Sequence, residues 1–171
     1  MMKIAVGGGC HWCTEAVFLV LKGVHKVEQG WIASEGEAES FSEGVILEFD
    51  AEVISLQELI QVHLLTHASQ SEHFRRKLYR SAVYFFEPLD SGEITEALRT
   101  SEAEFRSPLV TQVLPFRDFK PSHDEIVNYY FKNPQKPFCG RYIDPKLRML
   151  LERFPELVDG RKLAHLGEPG D

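Results

Sequence analysis

The stretch Gly7-Gly8-Gly9-Cys10-His11-Trp12-Cys13 decides how this chain is read, because it joins two runs of different periodicity. Before it, residues 2–6 (Met-Lys-Ile-Ala-Val) are short and mostly apolar, which predicts a buried strand. After it, Ala16, Val17, Val20 and Leu21 recur at helical intervals, and Gly23 supplies a stop. Three glycines between strand and helix let the backbone turn tightly and come close to a ligand. Cys10 then falls at or near a helix N-terminus, where free N–H groups and the macrodipole favour an anion. A thiol placed there has a lowered pKa, and the thiolate is the nucleophilic form. Cys13 follows one helical turn later, within the Cα separation of roughly 4.4–6.8 Å that a disulfide requires. Cys10 can therefore attack and Cys13 can resolve. The competing reading, two cysteines acting as small buried hydrophobes, leaves the triple glycine and the neighbouring Trp12 unexplained. By itself a Cys-x-x-Cys pair points equally to a thioredoxin-like enzyme or to half a metal site.

Working outward, residues 24–33 read as a strand, and glycine and acidic residues break the pattern from Ser34 to Ser40. Residues 44–49 alternate, with Val45, Leu47 and Phe49 on one face, which predicts a half-buried strand. Ser55 and Glu58 have capping-box spacing ahead of Leu56, Leu59, Ile60, His63 and Leu64. Residues 81–86 form a third strong strand pattern, and Asp90 and Glu93 open a helix carrying Ile94, Ala97, Leu98 and Phe105. Residues 108–116 read as a strand. Ser122 and Glu125 repeat the capping spacing ahead of Ile126, Tyr129 and Tyr130, in a helix that ends near Asn133-Pro134. Asp144-Pro145 places a cap and a first-position proline ahead of a last helix. This irregular alternation predicts one α+β domain over residues 1–158, a mixed sheet covered by helices in two layers, and a loose tail over 159–171.

The chain has 171 residues, enough for one domain with a real core. Its net charge of −7 lacks the basic footprint of a nucleic-acid partner. No apolar run approaches the ~18 residues of a membrane span, and the N-terminus lacks the pattern of a secretory signal. Three cysteines in such a chain read as reduced thiols, and a cytoplasmic location is expected.

The residues Gly9-Cys10-His11-Trp12-Cys13-Thr14-Glu15, with Phe18 and Gly23-Val24, resemble the N-terminal signature of the A-type peptide methionine sulfoxide reductases. The likeness continues through Gly30-Trp31, Glu43, Asp50, Val53-Ile54-Ser55 and Tyr79-Arg80-Ser81-Ala82. It resumes from Asn133-Pro134 through Phe138-Cys139 to Pro145-Lys146-Leu147 and Phe154-Pro155-Glu156-Leu157. The resemblance implies a ferredoxin-like plait and reduction of methionine-S-sulfoxide, free or in oxidised peptides and proteins, as in repair after oxidative stress. It implies Cys10 as nucleophile, Glu43 as the acid that protonates the sulfoxide oxygen, and Tyr79 as a hydrogen-bond donor to that oxygen. A Cys10 sulfenic acid would condense with Cys13 or Cys139 to a disulfide, which a thioredoxin-like reductant would reopen. No cofactor would be bound. Trp12 would line the pocket for the S-methyl group, with His11 as its other wall.

The chain departs from the family pattern in several places. Phenylalanine is usual at His11; a histidine there is more polar, and in protonated form would stabilise the Cys10 thiolate. The segment from Ser34 to Phe41 is shorter than in the family and lacks its loop tyrosine, and Phe41 stands where a histidine is usual. An Asp-Pro is absent after His67, a family aspartate upstream of Tyr79 is replaced around Glu72-His73-Phe74, and Ile126 replaces a histidine. This depleted polar shell keeps two alternatives in view, a thiol–disulfide oxidoreductase using Cys10 and Cys13, and a non-catalytic relative that binds oxidised peptides. His63 and His67, one turn apart with His73 nearby, form a possible metal face, but no glutamate stands beside His63, and they read as core or surface residues. Glu35 to Glu43 reads as a solvated acidic loop, Tyr84-Phe85-Phe86 as strand core, and Arg75-Arg76-Lys77 as surface.

Overall fold

The computed structural model describes residues 1–71 and 78–166. The N-terminal strand forms as β1 (Met2–Gly7), and the glycine turn leads into α1 (His11–Leu19) with Cys10 as its N-cap. β2 (Val24–Ala33) and β3 (Ser42–Phe49) follow the predicted strands, and α2 (Leu56–Leu65) carries the full Ser55–Glu58 capping box. Then come β4 (Ala82–Phe85), α3 (Asp90–Glu102), β5 (Gln112–Pro115), β6 (Asp118–Pro121), α4 (Tyr129–Lys132) and α5 (Asp144–Arg153).

The sheet runs β5-β4-β1-β3-β2-β6. β1 lies between antiparallel neighbours β3 and β4, and β5 runs parallel to β4. Side chains alternate across the sheet as the strand period requires. Ile4, Val6, Val45, Leu47, Phe49 and Val83 face the main core, where Phe18, Leu59, Ile60, Leu147 and Leu150 from the helices cover them. Ala5, Ile32, Ile46, Ala82 and Tyr84 form a smaller cluster on the opposite face, to which, among the described residues, no helix contributes. The result is the predicted α+β arrangement, a mixed sheet with helices on one side. Among the described residues, no helix is long and apolar enough to cross a membrane.

The differences from expectation have local causes. The helix predicted from Ser122 is reduced to four residues, Tyr129–Lys132, because Asn128 takes a left-handed conformation (φ 57°) and ends any continuous helix before it. Ser122 Oγ is buried with no hydrogen-bond partner, so no capping box forms. The strand predicted at 108–116 pairs only over Gln112–Pro115. β6 lacks apolar alternation and forms by pairing with β2, Gly30 opposite Pro121 and Ala33 opposite Asp118. Asp144 does not cap α5; a π-helical turn over Cys139–Ile143 runs directly into it. Part of the tail expected to be loose, Gly160–Leu166, forms a 3-10 segment with Leu163 and Leu166 buried. The basic run at 75–77, the replaced aspartate region at 72–74 and residues 167–171 lie outside the described residues.

Candidate active site

Cys10 sits at the N-terminus of α1 with its carbonyl accepting the Cys13 and Thr14 N–H groups, both at 3.1 Å. Its thiol is held below the ordinary cysteine range. The main cause is the Cys13 thiol, which donates to it, followed in the same direction by the Trp12 and Cys13 backbone N–H groups. Burial and the Glu43 charge oppose the shift and do not overcome it. The proton that Cys13 holds against Cys10 pushes the Cys13 thiol strongly up, with burial adding to the effect. One sulfur is thus biased toward thiolate and its neighbour toward thiol.

Cys139 is 0 % exposed in the π-helical turn, and burial together with the Asp144 charge pushes its thiol up. It lies close enough to Cys13 for the two charges to interact. None of the three cysteines is joined in a disulfide.

Glu43 is the second residue of β3 and pairs with Trp31 of β2. Its carboxyl Oε1 accepts the His11 backbone N–H at 3.3 Å and meets His11 Nε2 at 3.3 Å. The opposite ring nitrogen, His11 Nδ1, lies 2.9 Å from the Gly30 carbonyl, so Nδ1 carries a proton and donates it. The segment carrying Tyr79 is clasped to the start of the same strand. Glu43 N–H donates to the Leu78 carbonyl at 2.9 Å, Ser42 Oγ–H donates to the same carbonyl at 2.9 Å, and Arg80 N–H donates to Ser42 Oγ at 2.7 Å. These bonds hold the segment that carries Tyr79 against the start of β3, where Glu43 stands, without any sequence proximity.

A cavity of about 530 Å³ opens beside the turn. Cys10, Cys13 and Tyr79 line it, with Thr14, His67, Phe138, Tyr142 and Lys146. Neither His11, Trp12, Glu43 nor Cys139 is part of its lining. Trp12 stacks on Tyr129 with ring centres 4.0 Å apart and meets the wall residue Phe138 edge-on at 5.4 Å. His67 is fixed by structure-bearing bonds. Its Nδ1–H donates to the His63 carbonyl at 2.5 Å, and its Nε2 faces Ser81 Oγ at 2.7 Å. His63 Nε2–H donates to the Gly7 carbonyl at 2.8 Å, so this pair ties α2 to β1 and the glycine turn. Among the described residues no group of three or more His, Cys, Asp or Glu could hold a metal.

Sequence reasoning missed Ser42, whose hydroxyl ties the start of β3 to residues 78–80, and had no local signal for it. It also missed Tyr142 on the cavity wall. Lys146 was part of a quoted motif; its Nζ donates to the Thr66 carbonyl, joining α5 to the end of α2 at the cavity edge.

Residues 2–156 match the model of the family described as peptide methionine sulfoxide reductase. A peptide methionine sulfoxide reductase of Trichodesmium erythraeum is 31% identical over 171 residues, covering 91% of this chain and 97% of that relative. The reduced form of Mxr1 from Saccharomyces cerevisiae superposes with a TM-score of 0.67 at 21% identity, over 80% of this chain and 88% of the other. Mxr1 in its complex with Trx2 gives a TM-score of 0.58 at 19% identity, over 74% of this chain and 83% of that one. The chain belongs to the peptide methionine sulfoxide reductase family.

Proposed function

We propose that this protein performs thiol-dependent reduction of methionine-S-sulfoxide, free or in oxidised peptides and proteins, through Cys10. The observation that carries the reading is the pairing of a thiol favoured as thiolate with a carboxyl group at the same helix N-terminus, beside an open cavity. Glu43 donates a proton to the sulfoxide oxygen, Tyr79 hydrogen-bonds it, and the Cys10 thiolate attacks sulfur. The sulfur–oxygen bond breaks, methionine leaves as thioether, and the oxygen remains on Cys10 as a sulfenic acid. The Cys13 or Cys139 thiol then attacks the Cys10 sulfur, forming a disulfide and expelling water. A thioredoxin-like dithiol reopens the disulfide by exchange and is itself oxidised. Cys13 is favoured as the first resolving thiol because it already donates to Cys10. The Trp12, Tyr129 and Phe138 rings support the apolar wall that receives the S-methyl group. We also propose that residues 1–158 carry the whole activity.

Mass spectrometry after mixing with a methionine sulfoxide peptide, in the absence of reductant, tests the reading. One peptide oxygen lost per protein, with one new intramolecular disulfide, is the expected result, for the S epimer and not the R. Cys10→Ser abolishes it. Peptide binding without oxygen loss, or unchanged turnover in Cys10→Ser, overturns the assignment.

A further inference from the structure

We propose that His11 and Glu43 hold one proton jointly, His11 acting as the positioning residue that keeps that proton beside the Cys10 thiolate. The inference deepens the reduction mechanism above and rests on it. Four observations carry it. The His11 ring cannot turn freely, because Nδ1 is bonded to the Gly30 carbonyl at 2.9 Å and Trp31 packs against the ring at 4.9 Å and 68°. The ring nitrogen that remains, Nε2, is aimed at Glu43 Oε1 at 3.3 Å. The His11 backbone N–H meets the same oxygen, so one residue grips Oε1 twice. Among the described residues no hydrogen bond reaches Oε2, so Oε1 carries the contacts of the carboxyl group.

The burial of the pair makes the shared proton matter. The His11 and Glu43 side chains are 5% and 15% exposed. A bare carboxylate held next to the Cys10 thiolate repels it, and the Glu43 charge does oppose the Cys10 thiolate. A pair holding one proton on the Oε1–Nε2 axis is neutral in sum whether it is written as acid and imidazole or as carboxylate and imidazolium. The other groups that face His11 do not supply this balance. Glu15 on α1 is a carboxyl pushed toward its protonated form by burial and bonded by Gln29 of β2. Gly30 and Trp31 of β2 are uncharged, and Lys120 of β6, opposite Trp31, directs its ammonium over the Phe41 ring.

Nε2 and Oε1 are two seats for one proton, so its loss belongs to the pair and to neither residue by itself. In the reaction the proton passes to the sulfoxide oxygen as the Cys10 sulfur attacks. The pair is left as carboxylate and neutral imidazole and takes a proton back from solvent before the next turnover.

Two variants test the proposal. His11→Phe keeps a ring in place and removes the proton seat; His11→Gln keeps a hydrogen-bonding side chain that cannot take up the proton. In both, the alkaline limb of kcat/KM should move down by about one pH unit, and the pH midpoint for Cys10 alkylation by iodoacetamide should move up by about as much. Alkylation needs no substrate, so it reads the pair even if the chain reduces no sulfoxide, and that result would remove the proposed function separately. Profiles of either folded variant that coincide with the wild type overturn the shared proton.

Discussion

At the scale of single residues, Cys10 and Cys13 divide one proton unequally, and that division is measurable. Iodoacetamide near pH 7 should modify Cys10 at least about tenfold faster than Cys13 or Cys139, because only the thiolate reacts. The two slower thiols are also 8% and 0% exposed. Removing the donor with Cys13→Ala should move the Cys10 alkylation midpoint to higher pH, read by peptide mapping across a pH series. Glu15 titrates in the opposite sense from an ordinary paired carboxylate. Burial raises it, although Gln29 Nε2 and the Asn128 and Tyr129 N–H groups support its charged form. A folded-state value above the unfolded one means that the folded protein binds this proton more tightly. The stabilisation is fully present below the unfolded value near 4.3 and is lost as pH rises through the folded value. Glu15→Gln should therefore gain stability relative to the wild type as pH rises above the unfolded value, read in urea denaturation series across pH. A parallel pair of stability curves would contradict that sign.

At the scale of elements, the strand–turn–helix unit explains both what the sequence disclosed and what it withheld. β1, the glycine turn and α1 were legible because apolar run, breaker and helical period follow one another within twenty residues. The capping box at Ser55 was legible for the same local reason, and Ser55→Ala should cost about 1 kcal/mol of folding stability. The clasp between Ser42 and residues 78–80 was not legible, since it is made by backbone groups and a hydroxyl nearly forty positions apart. β6 was invisible because Asp118, Lys120 and Pro121 have no strand pattern and are recruited by the edge of β2. Asn128 defeated a correct capping spacing by taking a left-handed backbone that no periodicity announces. Gly8 shows how tight the turn is, since a Cβ there would meet the His67 ring at 2.3 Å. Gly8→Ala should push His67 off Ser81 and the His63 carbonyl. The expected cost is about 1–3 kcal/mol, read by denaturation, with a smaller cavity beside Cys10.

At the scale of the molecule, the C-terminal segment anchors the end of α1 opposite Cys10. Lys22 N–H donates to the Leu157 carbonyl, Asp159 N–H to the Val20 carbonyl and Lys162 Nζ to the Leu19 carbonyl, at 2.8, 2.8 and 2.7 Å. Leu163 is 1% exposed within the main core, and Arg148 bonds the Leu166 carbonyl at 2.9 Å. Tyr130 adds a second tie, donating to Asp144 at 2.5 Å while it faces His165 Nε2 at 2.6 Å. The latch residues from Leu157 onward lie beyond the matched residues 2–156, and among the described residues none of them lines the cavity. Leu163→Ala should cost about 3 kcal/mol through the cavity it leaves, a fall in Tm of roughly 6–12 °C for a chain of this size. Sulfoxide turnover at 20 °C should persist, because the turn that holds Cys10 is fixed by β1, Glu43 and His63 at the other end of the helix. Loss of turnover in protein that remains folded would mean that the latch sets the position of α1 as well as its stability, and that residues 1–158 do not carry the activity by themselves.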